Sequence, residues 1–298
     1  METAATEMAS DAATAIRARL IRAARFLSYC ATVLGALKVE PGKDARIAHR
    51  DARDTLGLDK DEAKARLETL HEKLSLLHNR LFAEGKRSLL LVLQGLDASG
   101  KDGVVRSVFT GVNPQGCRVV SFRAPSSTEL AHDYLWRVRE VLPARGEIGI
   151  FNRSHYEDIV AVRMLQLAPE AVWKRRPDHI CEFERQLTDE GTTIVKVFLN
   201  VSKDEQKVRL QDRVDDPEKR WKFKLTDLEV REQFDGYVAA WEDALTETST
   251  DWAPWYVVPA DRNWVKAVAV AELLVDALEK MDPKLPAAEP GVEGLQIT

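Results

Sequence analysis

Short, unbroken apolar runs recur along this chain, separated by long stretches of mixed polarity. "SLLLVLQ" (88–94), "CRVVSF" (117–122), "GEIGIF" (146–151), "TTIVKVFLNV" (192–201) and "WYVVPA" (255–260) share that texture. A strand with one wet face alternates apolar and polar positions; continuous apolar character suits strands covered on both faces of a parallel sheet. Strands interleaved with helix-length segments imply βαβ units with right-handed crossovers. The expected fold is therefore a three-layer α/β/α sandwich with about five parallel strands. Ahead of the first run, Leu67, Leu70, Leu74, Leu77 and Leu81 recur at three- and four-residue intervals, which predicts a helix laying one apolar stripe on a core.

Composition narrows the class without changing the fold. Of 298 residues, 45% are hydrophobic and 31% charged, the balance of a soluble globular protein. A net charge of -5 argues against a general nucleic-acid binder, so any polyanion must be met by a local basic patch. No run approaches the roughly 18 apolar residues of a membrane span. Cys30, Cys117 and Cys181 are far apart, show no zinc spacing, and read as reduced thiols of a cytoplasmic protein. Glu2, Glu7 and Asp11 speak against a transit peptide at the start.

The most specific chemistry lies in "GLDASGKDG", residues 95–103. A glycine loop between an apolar strand and a helix, with G-x-x-x-x-G-K, is a phosphate-binding loop. Gly95, Ala98, Ser99, Gly100 and Gly103 form its cradle of backbone N–H groups, and the helix N-terminus adds a positive dipole end. Lys101 supplies a point charge, and Arg106 on the following helix joins the phosphate- and nucleotide-binding candidates. The last motif position departs from the rule: Asp102 stands where a Ser/Thr hydroxyl normally holds magnesium. Asp97 offers that ion a carboxylate instead. Asp102 is open to two readings, a partner of Lys101 and the nucleophile, or a helix-start charge.

Two further segments converge on the same chemistry. "GEIGIFNRSHYEDIV" ends a strand in Asn152, Arg153 and Ser154, at the edge where open α/β sheets bind ligands, with Glu157 and the second metal candidate Asp158 just beyond. A Ser154-His155-Asp158 triad is rejected, because triad members come from separated segments; for His155 and Tyr156, packing and ligand contact both stay open. "KVRLQDRVDDPEKRWKFK", residues 207–224, carries Lys207, Arg209, Arg213, Lys219, Arg220, Lys222 and Lys224. It reads as a helical lid that closes over a transferred phosphoryl group, against the plainer alternative of a solvated face. "WKRRPDHICEFERQL" makes a second basic patch with Lys174, Arg175, Arg176 and Arg185. The expected organisation is a partly helical N-terminal extension (1–58), a P-loop kinase-like domain (59–282) with its lid near 207–224, and a flexible tail rich in proline and glycine (283–298).

With these pieces in place, the chain resembles the polyphosphate kinase 2 family over residues 36–281, on "GLDASGKDG", "GVNPQG", "SFRAPSSTEL", "DYLWR", "FNRSHYED", "DPEKRWKF" and "ETSTDWAPWYVVPA". The resemblance implies a P-loop kinase fold and a reversible, Mg²⁺-dependent reaction in which Mn²⁺ can substitute. Inorganic polyphosphate would donate its terminal phosphoryl group to nucleoside mono- and diphosphates, AMP to ADP and ADP to ATP, with adenine or guanine as base. The family loop ends in G-K-[DG], which makes Asp102 ordinary. Carried over, Asp97 is a magnesium ligand, Lys101 a phosphate clamp, Asp102 a catalytic carboxylate, and Arg153 and Arg213 catalytic cations. Some relatives have aspartate where Asn152 stands, which removes a direct metal bond from that position. The polyphosphate track would use Arg118, Arg123, Arg175, Arg176, Arg209, Lys219, Arg220 and Lys222. Glu129, Asp133 and Arg137 are acceptor-side candidates or surface charges in equal measure. A homodimer or homotetramer is implied. The rival readings are an ATP-dependent nucleotide kinase and a catalytically silent P-loop binder.

Overall fold

The computed structural model describes residues 32–297, so Glu2, Glu7, Asp11 and Cys30 lie outside the described residues. The chain divides after Leu37, and the unit that begins at Lys38 holds the fold described below. Helix α1 (Lys60–Glu84) starts in a capping box, Asp59 accepting from Glu62 N while Glu62 returns the bond to Asp59 N, and stops at Gly85 with φ 62. Strand β1 (Ser88–Gln94) leads into α2 (Lys101–Val108); β2 (Cys117–Ser121) is followed by the short α3 (Ser127–Leu130) and α4 (Trp136–Arg139). Next come β3 (Ile148–Asn152), α5 (Glu157–Met164), α6 (Glu170–Trp173), α7 (Arg176–Asp189) and β4 (Thr192–Asn200). The chain continues through α8 (Lys203–Asp215), α9 (Thr226–Glu232), α10 (Phe234–Thr248), β5 (Trp255–Pro259) and α11 (Asn263–Met281).

The five strands form one parallel sheet in the order β2-β3-β1-β4-β5. Helices α1, α2 and α11 pack together on one face, and α5, α7 and α10 on the other, giving the expected three layers. All of β1 is buried, as its unbroken apolar run required. In contrast β2 exposes Arg118 and Val119, because it is the sheet's edge strand. Along α1, Leu70, Leu74 and Leu81 are fully buried, while Leu67 and Leu77 are only half-buried; His78 takes the stripe position and bonds to Gly116 O at 3.0 Å.

The expected break between residues 58 and 59 is not where the chain divides. Val39 N donates to Trp255 O at 2.8 Å, Asn200 Nδ2 to Arg50 O at 3.0 Å, and Asp261 N to Ala52 O at 3.1 Å. Val39, Ala45 and Ile47 are buried. Residues 38–58 look like a polar connector in sequence because backbone hydrogen bonds, which composition does not record, are what attach them. Residues 283–297 contain no regular helix or strand and expose Leu285, Val292, Leu295 and Ile297. Among the described residues no helix is long and apolar enough to cross a membrane.

Candidate active site

Sheet order sets the site. Strands β1 and β3 are neighbours in register, Leu93 opposite Asn152, so the loops leaving their carboxyl ends open side by side. The β1 loop turns at Gly95 (φ 146), where a Cβ would lie 2.8 Å from both Leu199 O and Ser99 Oγ; only glycine fits. Ala98 (φ 63) and Arg153 (φ 62) hold left-handed backbone without being glycine, a strain of about 1–3 kcal/mol each that concentrates at functional loops.

Lys101 opens α2 and is buried; its Nζ donates to Gly95 O at 2.8 Å and Leu96 O at 3.3 Å. Burial, reinforced by the nearby Arg153 guanidinium, pushes its ammonium down to about 8. Arg153 forms an ion pair with Asp97 and reaches Glu157 Oε1 at 3.4 Å. Burial alone would raise the Asp97 carboxyl, but Arg153 and Lys101 outweigh it and hold it below the usual carboxylate range; Arg213 contributes from the lid side. Asp102 is exposed and accepts from Asn152 Nδ2 at 2.5 Å. Ser99 Oγ is buried with no hydrogen-bond partner. The structure thus brings together Asp97, Lys101, Asp102, Asn152, Arg153 and the loop glycines, with Arg213 within electrostatic reach. Ser154 is buried behind them, its Oγ bonded to Gln94 at 3.0 Å, and Arg106 and Gly103 lie exposed along α2.

Asp97 and Asp102 are a donor set that suits Mg²⁺, which takes one or two carboxylates and completes its shell with phosphate oxygens and water. Asp158 does not fit that role. Its Oδ2 faces Arg137 Nη2 at 3.4 Å and its Oδ1 faces Arg176 Nη1 at 3.5 Å, so both oxygens are held by guanidiniums. Burial pushes this carboxyl up in spite of those two arginines. Among the described residues no three His, Cys, Asp or Glu side chains gather into a cage.

Several basic and acceptor-side assignments change. Arg209 is not a lid residue: its Nη1 donates to Ala98 O (3.0 Å) and Ser99 O (3.1 Å), and its Nη2 to Ala260 O and Asp261 O (both 2.7 Å). It pins the phosphate loop to the end of β5. Arg137 is buried between Asp158 and the carbonyl of Arg123, and Arg176 stacks over Tyr134 with its guanidinium carbon 4.5 Å from the ring centroid, so both are engaged in packing contacts. Glu129 is spent in a capping box with Ser126, and Asp133 in a turn with Leu135 N at 2.9 Å. Lys219 is paired with Asp212 and Asp216, Arg220 donates to Val214 O at 2.8 Å, and Lys222 lies over Trp221. Arg118 on the edge strand β2, Arg123 after it, and Arg175 at the start of α7 are exposed.

This division of labour predicts a contrast. Arg209→Ala should cost about 3 kcal/mol of stability, since four backbone carbonyls lose a charged donor, whereas Lys219→Ala stays within about 0.5 kcal/mol. Denaturant unfolding of the two variants measures it; equal effects would refute the assignment of Arg209.

Sequence reading missed two participants at the loop and a buried network beside it. Gln206 Nε2 donates to Asp97 O at 3.1 Å, and Lys266 Nζ to Ser99 O at 2.8 Å. Gln206, Arg209 and Arg213 recur at i, i+3 and i+7 on α8, a shared face that the spacing could have revealed. Behind Arg153 lies a fully buried network: Lys196 Nζ bonds to Glu184 Oε2 (2.6 Å), Tyr156 Oη (2.9 Å) and Thr248 O (2.8 Å), and Tyr156 Oη donates to Glu184 Oε1 (2.8 Å). Burial pushes the Lys196 ammonium down; it also works against the Glu184 carboxylate, but Lys196 outweighs it there and keeps that carboxyl low. His155 and Tyr156 therefore pack in this network rather than face the loop.

A parallel sheet in this order, with a lysine-bearing phosphate loop after its central strand, defines a P-loop kinase. A model of the polyphosphate kinase 2 (PPK2) family matches residues 57–286. The chain is 50% identical over 262 residues to the AMP/ADP-polyphosphate phosphotransferase of Meiothermus ruber, spanning 87% of this chain and 98% of that one. It is 45% identical over 236 residues to the ADP-polyphosphate phosphotransferase of Rhodopseudomonas palustris, spanning 75% and 82%. The crystal structure of polyphosphate kinase 2 from Arthrobacter aurescens TC1 is similar with a TM-score of 0.83 at 43% identity, covering 87% of this chain and 93% of that one. The chain belongs to the polyphosphate kinase 2 family.

Proposed function

We propose that this enzyme transfers the terminal phosphoryl group of inorganic polyphosphate to adenine nucleotides, accepting both AMP and ADP, in a reversible Mg²⁺-dependent reaction. The observation that carries it is the convergence of Lys101, Asp97, Asp102 and Arg153 where β1 and β3 end, in a chain half identical to a relative named for both acceptors. Loop N–H groups and Lys101 bind the transferred phosphoryl. Arg153, with Arg213 closing from α8, neutralises charge on its oxygens, and Asn152 holds Asp102 at the mouth of the loop. Phosphoryl transfer asks for in-line positioning and charge neutralisation more than for covalent chemistry. Mg²⁺, held by Asp97 with Asp102 beside it, would supply Lewis acidity across the phosphate oxygens. The Arg153–Asp97 ion pair keeps both groups at the loop, where Asp97 would hold the ion.

The test is nucleotide formation with polyphosphate and Mg²⁺ and either AMP or ADP, followed by chromatography. ADP and ATP appearing from AMP support the dual-acceptor reading; ATP from ADP alone narrows it; turnover with ATP as the sole donor sinks it. Guanine acceptors, Mn²⁺ substitution, a homodimeric or homotetrameric state and a cytoplasmic location belong to the same proposal, each open to a direct assay.

A further inference from the structure

Lys266 on α11 is 1% exposed, and its Nζ donates to Ser99 O at 2.8 Å and Ala260 O at 3.4 Å. Both acceptors already hold a donor, because Arg209 reaches Ser99 O at 3.1 Å and Ala260 O at 2.7 Å. The acids near enough to act on Lys266 are engaged elsewhere: Glu205 is paired with Arg209, and Asp261 with Arg53. A buried ammonium that is neither needed by its acceptors nor balanced by a paired acid is costly to keep. An anion on the other side of the loop would balance it.

The backbone shows how the charge is transmitted. Asp97 O accepts from Gln206, Ala98 O from Arg209, and Ser99 O from Arg209 and Lys266. Three successive carbonyls are drawn toward α8 and α11, so the N–H groups of Ala98, Ser99 and Gly100 must turn the opposite way, since each peptide is planar and trans. The Ser99 N–H closes on Leu96 O at 3.1 Å, and those of Ala98 and Gly100 complete the anion cradle with the first turn of α2. Gly100 leaves the space this needs: a Cβ there would sit 2.2 Å from Lys266 Nζ.

We propose that Lys266 is a positioning residue for the bound polyphosphate: from beneath the loop it orients the Ser99–Gly100 peptide toward the anion and supplies charge that the anion balances. This rests on the polyphosphate reading given above. The groups facing Lys266 are Arg209 and Glu205 on α8, Asp261 after β5, and Lys101 in the loop. Burial, then Arg209, pushes its ammonium down to about 7. Anion binding above that pH therefore recruits a proton to it.

The experiment is calorimetric titration of the full chain with tripolyphosphate near pH 8, in two buffers of different ionisation enthalpy, for wild type and Lys266→Met. Lys101 titrates in both proteins and acts electrostatically on Lys266, so the difference reads the loss of Lys266 together with the response of Lys101. The Met variant is expected to keep its Tm, because Arg209 still serves both carbonyls. It should bind tripolyphosphate roughly tenfold more weakly and take up about one proton fewer. Unchanged affinity and proton uptake overturn the proposal, and so does an affinity lost only in step with a collapse in Tm. If the Met variant does not fold, Lys266→Gln, neutral but still able to donate to Ser99 O, must show the same losses; wild-type binding by it overturns the proposal. A wild-type chain that fails to bind tripolyphosphate sinks the polyphosphate reading itself, whereas binding indifferent to position 266 sinks only the role of Lys266.

Discussion

Lys101→Ala is expected to lower kcat for polyphosphate-driven ATP formation on the order of 10³-fold while the protein stays folded. In the proposed reaction the side chain acts through one ammonium in a buried loop, where a charge is worth far more than in solvent. Its cost to the fold is the other half of the argument. The ammonium is buried and held by two loop carbonyls without a directly paired acid, so its removal relieves desolvation as much as it removes hydrogen bonds. The melting temperature should therefore hold or rise as activity disappears. Initial rates with ADP and polyphosphate, measured beside a thermal melt, check both halves; a kcat within a few-fold of wild type would remove Lys101 from the chemistry.

The largest stability effect should come from Glu184→Ala. It leaves Lys196 charged and fully buried with Tyr156 Oη and Thr248 O for company, and it takes the acceptor from Tyr156. Removing one partner of a buried ion pair costs about 3–5 kcal/mol, which for a domain of this size lowers Tm by about 10 °C. Replacing both ends, Glu184→Leu with Lys196→Met, should recover most of that loss, because no uncompensated charge remains. Thermal melts of the single and double variants decide the matter; a single variant that melts within a degree or two of wild type would show the network to be dispensable.

What could be read in the chain, and what could not, follows from the range of the signals involved. The phosphate loop was legible because strand, glycine turn and helix start are local, and Gly95, Gly100 and Lys101 sit within seven residues. Arg153 was legible because it follows an apolar run that had to end at the ligand edge. Arg209 was misassigned within a basic segment: a charge run does not say which of its members turn inward. Only the helical phase of Gln206, Arg209 and Arg213 says so. Lys266 was invisible because a single lysine in "NWVKAVAVAELL" looks like the wet side of an amphipathic helix, and its contact with Ser99 spans most of the domain. Asp158 looked like a metal ligand because the arginines that hold it come from two other helices.

The central place of β1 has a consequence for how the protein is made. As the ribosome delivers the chain from its N-terminal end, "SLLLVLQ" emerges before either of its neighbours in the sheet. One neighbour, β4, starts at Thr192, about 100 residues later, a delay of roughly 5–20 s at ordinary rates of synthesis. For that interval at least one edge of β1 stays open to other nascent chains, even after β3 has been made. Yield in a cell should therefore respond to holdase chaperones and to slower initiation more strongly than the stability of the finished fold suggests.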